Sequence, residues 1–160
     1  MEIRDAKAED ARAAAQVLRR SIAELCAADH GNDPVILAQW LSNKTPEIVA
    51  SWITWPNNSV LVAVENDAII AVGAVTDTGL ITLNYVSPDA RFRGVSRAML
   101  RALEARALER GSVRCTLNST ETARRFYLAN GFAIDGSPIR KHGVSGYPMS
   151  KRLAPHDSLT

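Results

Sequence analysis

The sequence predicts an α/β domain of the mixed α+β kind, with a mostly antiparallel mixed sheet flanked by helices. Three observations predict it. From Ser59 to Val86 the Val- and Ile-rich runs SVLVAVEN, AIIAVGAVTD and LITLNYV succeed one another across short END and DTG turns, as in an antiparallel meander. An amphipathic helical stretch from Gly94 then leads to a further strand-like run, SVRCTLN, and such a crossover requires a parallel strand pair. The chain's 160 residues, 46% hydrophobic and 22% charged, have the length and balance of one globular domain with a real core.

The elements read in order as follows. EIRDA is a short opening strand. Ala11, Ala14, Ala15, Leu18, Ile22 and Leu25 recur at helical spacing, with Asp10 as the expected N-cap and Glu9 beside it to suit the helix dipole. Gly31 and Asn32 break that helix. PVILAQWLSN and PEIVASWIT each open on a proline and read as two short helices, closed by the WPNN turn. After the meander, Val95, Met99, Leu100, Leu103 and Ala107 form one helical stripe, with Arg97, Arg101 and Glu104 on the other face and Gly111 as the stop. TETARRFYLANGF reads as a helix capped by Thr120 and ended by Gly131. FAIDGSPI and GYPMSKRL close the sheet as two strands. Neither repeats nor linkers interrupt the chain, so a single domain is expected over 1–154, with a short C-terminal tail over 155–160.

Composition narrows the function. A net charge of +2 and a pI near 8.7 are too modest to point to nucleic acid. No apolar run approaches the roughly 20 residues of a membrane span, and the start lacks the apolar stretch of a signal peptide. No membrane partner is expected, and a cytoplasmic location is. Cys26 and Cys115 lie in apolar-patterned segments and read as two free thiols rather than a disulfide.

The segment NYVSPDARFRGVSRAML holds the clearest chemistry. A strand stops at a proline, Arg91, Arg93 and Arg97 follow in close spacing, and Gly94 stands where the helix begins. The first N–H groups of a helix lack intrahelical partners, and with the dipole they favour an anion. Gly94 lets a ligand approach the backbone, and Ser96 keeps the next turn small. Arg91 and Arg93 supply charge-assisted donors to phosphate. Read alone, the same loop is equally a tight turn with solvated arginines. A dinucleotide fold would need G-x-G-x-x-G after an early strand, and only Gly94 is present.

Together with A-R-R-F-Y-L-A-N-G-F about thirty residues later, the loop resembles the GNAT superfamily of acetyl-CoA-dependent N-acetyltransferases. That family's Q/R-x-x-G-x-G/A loop is matched by Arg91, Gly94 and Ser96. Its A-x-x-F-Y…G-F helix is matched by Ala123, Phe126, Tyr127, Gly131 and Phe132. The likeness spans Ser59 to Leu153 in element order and departs at Ser96, where Gly or Ala is usual, and at Thr120, where Asn is common.

The resemblance implies acetyl-CoA as acetyl donor, no metal, and a splayed parallel strand pair that admits the pantetheine arm. Backbone groups near Tyr85 and Val86 would bind that arm and polarise the thioester. The loop Arg91, Phe92, Arg93, Gly94, Val95 and Ser96 would hold the pyrophosphate. Thr120 would cap its helix or reach the pantetheine arm, with capping favoured. Tyr127 would protonate the leaving thiolate, and a small-molecule primary amine would attack directly. Glu24, Asp29, His30 and His142 are the titratable residues near the expected cleft, and none is assigned as a base. Trp40, Trp52 and Trp55 are candidate pocket walls, and the GSPIRKHGVSGYP loop is expected to frame the acceptor. A non-catalytic coenzyme A sensor and a protein- or peptide-modifying acetyltransferase are the alternatives, and a homodimer is compatible with either.

Overall fold

A computed structural model describes residues 1–153, so the tail expected over 155–160 lies outside the described residues. Strand β1 (Glu2–Asp5) leads into four helices: α1 (Ala11–Leu25), α2 (Ala27–His30), α3 (Pro34–Leu41) and α4 (Pro46–Thr54). The meander follows as β2 (Asn58–Glu65), β3 (Ala68–Thr76) and β4 (Ile81–Val86). Then come α5 (Val95–Glu109), β5 (Arg114–Ser119), α6 (Arg124–Ala129), β6 (Ala133–Ile134), β7 (Ile139–Lys141) and β8 (Val144–Arg152).

Strands β1–β2–β3–β4 pair antiparallel in that order, and β5–β8–β6 form a second antiparallel group with β7 beside β8. Asn66 and Asp67, both at positive φ, make the two-residue turn between β2 and β3, as the short END run predicts. Among the described residues a single parallel bridge, Leu80 with Thr116, joins the two groups. There Thr116 N–H donates to Gly79 O at 3.0 Å. Gly79, at φ +90°, makes this approach feasible, because a Cβ there would collide with Arg114 O.

Side chains alternate across the meander. Leu61, Ala63, Ala71 and Ile81 face α5 residues Met99, Leu100 and Leu103, and Cys115, Leu117, Phe132 and Met149 complete that core. Val60, Val62, Val72 and Leu83 face Ala14 and Leu18 of α1 and Val49 of α4. Burying a side chain of this size contributes roughly 1.5–3 kcal/mol, so both faces of the sheet hold helices in place.

Local expectations met four corrections. Asp10 does not cap α1. Its carboxylate turns back to accept from Lys7 N–H at 2.7 Å and to pair with Arg4 at 2.8 Å. Glu104 does not face solvent but is buried beside Lys151 of β8, at 3.0 Å. FAIDGSPI contributes only Ala133–Ile134 to the sheet, because Gly136 and Pro138 interrupt it. The GSPIRKHGVSGYP loop is instead largely a β-hairpin, with Lys141 opposite Val144 and His142 and Gly143 turning at positive φ. Pro34 and Pro46 do open α3 and α4, with Asp33 and Thr45 as side-chain caps.

Candidate active site

The pairing of β4 with β3 skips Thr82: Leu83 lies opposite Ala74, but Ile81 lies opposite Val75. A bulge of this kind bends its strand. Beyond it β4 leaves β5, and a cleft of about 510 Å³ opens between their C-terminal halves. Ser87 N–H donates to Ile70 O at 2.7 Å, so the two-residue alternation turns the main-chain groups of Tyr85 toward β3 as well. The N–H and C=O of Asn84 and Val86 therefore face the cleft. Of the two residues expected to offer backbone to a ligand, Val86 turns its main-chain groups toward the cleft, whereas those of Tyr85 are turned to β3 although the residue lines the cleft.

At one end of the cleft stands the N-terminus of α5. Gly94 adopts φ +77° there. The first intrahelical bond is Ala98 N–H to Gly94 O, at 3.1 Å, which leaves the N–H groups of Val95, Ser96 and Arg97 without backbone partners. The first turn holds no acid, and a Cβ built on Gly94 would meet nothing within 4 Å. The helix dipole thus looks into open space.

The basic loop divides. Arg91 lines the cleft and lies over the Phe92 ring at 4.2 Å from its centroid, and that ring is 89% exposed at the cleft mouth. Arg93 is turned away: its guanidinium grips the Glu65 carboxylate at 2.6 Å and borders a different cavity. In its place Arg97 joins the lining.

Tyr127 sits deep in the cleft, 7% exposed, with Phe126 and Phe132 edge-on at 5.2 and 5.6 Å. Asn84 Nδ2 donates to its hydroxyl at 3.4 Å, and Asn84 Oδ1 is buried with no partner. Burial raises the Tyr127 pKa above the usual phenol value, against the lowering effect of the Asn84 hydrogen bond. The phenol is accordingly protonated at neutral pH. Asn84 escaped sequence reasoning, although a polar amide within the apolar run LITLNYV was the available signal. Thr120 Oγ1 accepts from Ala123 N–H at 3.2 Å, which caps the turn preceding α6 rather than the first turn of that helix.

The titratable candidates separate clearly. His30 is buried, with Nε2 donating to Ile22 O and Nδ1 accepting from Asn32 N–H, so both nitrogens are engaged. Glu24 pairs with Arg20 on the surface. Asp29 Oδ1 accepts from Thr122 N–H at 3.1 Å, while its Oδ2 is buried without a partner. His142 lines a second cavity of about 550 Å³, beside Trp40. Trp52 packs in the core and Trp55 is exposed, so neither forms a wall. Both cysteines are free, and burial pushes Cys26 up to about 12 and Cys115 up to about 11, which leaves them unreactive thiols.

The site thus consists of two strands parted by a bulge, a helix N-terminus at Gly94 facing the gap, and a buried phenol within it. The chain belongs to the GNAT acetyltransferase family: the family model described as acetyltransferase (GNAT) domain matches residues 13–153. It is therefore an acetyltransferase. Solved structures share the fold. A GCN5-related N-acetyltransferase from Rhodopseudomonas palustris superposes with a TM-score of 0.83 at 23% identity, covering 95% of each chain. The PaiA N-acetyltransferase from Thermoplasma acidophilum, in complex with coenzyme A, gives 0.79 at 17%, covering 95% of this chain and 98% of that one. An aminoglycoside 6'-N-acetyltransferase from Enterococcus faecium gives 0.73 at 15%, covering 98% and 99%. Among curated proteins no sequence match was found. None of the described helices is long and apolar enough to cross a membrane.

Proposed function

We propose that this chain transfers the acetyl group of acetyl-CoA to a primary amine of a small molecule by direct attack. One observation carries the reading: the Tyr127 hydroxyl and the open edge of β4 meet in a cleft whose far end is the bare N-terminus of α5. The residues fit the donor. The N–H groups of Val95, Ser96 and Arg97, with Arg91 and Arg97 beside them, would hold a pyrophosphate. The exposed Phe92 face offers a stacking surface at the mouth, and the main-chain groups of Asn84 and Val86 suit an amide-bearing arm laid along β4.

When bound, acetyl-CoA supplies an activated thioester. Val86 N–H, unpaired on the open edge of β4, would polarise the thioester carbonyl. As the acceptor nitrogen forms the new C–N bond, the C–S bond breaks. Sulfur leaves with the electron pair and takes the Tyr127 proton, while the nitrogen releases its own proton to water. Tyr127 is reprotonated from solvent before the next turnover. No carboxylate among the described residues lines the cleft or the second cavity, so no side chain is assigned as base and the reacting amine is the neutral fraction.

Release of free thiol from acetyl-CoA in the presence of an amine panel tests the reading directly. Stabilisation by coenzyme A without thiol release from any amine would instead identify a sensor.

A further inference from the structure

The second cavity lies between α3, the C-terminal end of β5 and the β7–β8 hairpin. It shares Tyr85, Asn118, Ser119 and Thr120 with the cleft, so the two spaces meet across a common wall. Given acetyl transfer, on which this inference rests, the donor occupies the first space and the acceptor the second. The lining of the second space then describes the acceptor.

That lining is mainly apolar, with polar groups at the β5 wall and basic side chains confined to the tip of the hairpin. Ile36, Trp40 and Tyr85 face Ile139 and Val144 across the space. Lys141 and His142, at the hairpin turn, are its basic side chains, and it contains no Asp or Glu. Neither Lys141 nor its neighbour Arg140 takes part in an ion pair among the described residues. Two acids on adjoining segments stay outside the lining: Glu121 pairs with Arg124 at 2.8 Å, and Asp29 accepts from Thr122 N–H through Oδ1 while its buried Oδ2 has no partner.

A polycation entering here would leave water for a wall that offers no counter-charge and one like charge. A carboxylate would meet the Lys141 ammonium, and an aromatic or branched body would fit against Trp40 and Ile36. The same positive charge also helps the reaction. Near an ammonium it disfavours the protonated form and so raises the neutral, nucleophilic fraction, which a site without a carboxylate base requires.

We infer that the acceptor is a small amino carboxylate with a large apolar or aromatic side chain. Its carboxylate lies toward Lys141 and His142, its side chain against Trp40, and its amine at the wall formed by Asn118 and Ser119. Polyamines and aminoglycosides are disfavoured acceptors, although aminoglycoside acetyltransferases share the fold.

Two measurements test this with the full chain. In the first, calorimetry with coenzyme A present compares N-acetyl-L-phenylalanine with its carboxamide, on wild type and Lys141→Met. The acid should bind at least about tenfold tighter than the amide, the preference should shrink with added salt, and the variant should lose most of it. In the second, thiol release ranks L-phenylalanine, L-tryptophan and L-leucine against their amides, spermidine and kanamycin, with the free acids expected first. An amide or a polycation that binds or reacts as well as the acids overturns the inference, as does an acid preference untouched in Lys141→Met. Should those amines still release thiol, acetyl transfer itself stands. Conversely, Lys141-dependent binding of the acid with no thiol release from any amine supports the anion-selective pocket and removes the catalytic reading.

Discussion

Replacing Tyr127 with Phe deletes one oxygen from a ring whose surroundings are otherwise kept. The lost hydrogen bond, from Asn84 Nδ2 at 3.4 Å, lies at the long end of the range and contributes at most about 0.5 kcal/mol net. The edge contacts with Phe126 and Phe132, roughly 0.5–1.5 kcal/mol each, survive. Stability should therefore stay within about 1 kcal/mol, a shift of no more than roughly 2–4 °C in Tm. Acetyl-CoA affinity should hold. Catalysis should not: loss of a general acid lowers the rate by about 10²–10⁴-fold, or roughly 3–5.5 kcal/mol of barrier. The assay is single-turnover thiol release at saturating acetyl-CoA, which removes product release from the measurement. A pH series sharpens it. Because burial raises the Tyr127 pKa, the donor form persists past the ordinary phenol value near 10. Wild-type rates should rise with pH as the amine deprotonates, with no descending limb below about pH 10. Undiminished single-turnover chemistry in a folded Tyr127→Phe protein would refute the proton-donor role.

Three further perturbations separate the parts of the site. Gly94→Val should fold with a cost of about 1–2 kcal/mol, set by its left-handed backbone rather than by a clash, and should abolish the thermal shift produced by coenzyme A. Unchanged ligand stabilisation would reduce the loop to a turn. Arg91→Ala should weaken coenzyme A binding, more at low salt than at high salt. Arg93→Ala, which only frees Glu65, should leave binding near wild type, and titration calorimetry of the two variants would reverse this assignment if their order were inverted. Lys44 is buried, and desolvation lowers its pKa to about 8, below its unfolded value. The unfolded chain thus holds more protons between about pH 8 and 10.5, and this group's contribution to stability rises with pH across that window. Measured as Tm against pH, wild type should gain on Lys44→Met from pH 8 to 10, and parallel curves would contradict the assignment.

The sheet meander, the α5 stripe and the anion-facing helix start were legible because each is a local pattern. Val, Ile and turn residues set the hairpins, apolar spacing set the helix, and Gly94 announced its own conformation. Side-chain direction was less legible. Glu104 falls on the polar face by spacing, yet Lys151, distant in sequence, draws it inward. Arg91 and Arg93 look alike in the loop, and only the position of Glu65 on β2 separates them. Asn84 acquires its meaning when α6 brings Tyr127 against β4 across the chain. The hairpin that borders the second cavity was hidden by its composition, since GSPIRKHGVSGYP has the residues of a loop and its pairing comes from β8.

The bulge at Thr82 has a consequence for how the domain holds together. Past the Leu80–Thr116 bridge, no described ladder crosses from the first sheet to the second, so their union rests on the packing of α5 and on side chains. The molecule is in this sense two hydrogen-bonded strand groups sharing a helix and one core. The strands up to β4 form one, and β5 to β8 with α6 form the other. Native-state hydrogen exchange should resolve them as separate opening events, with the β5–β8 unit opening at lower free energy. A donor bound along β4 and against Tyr127 would touch both units, and its binding energy would then appear as coupling between them.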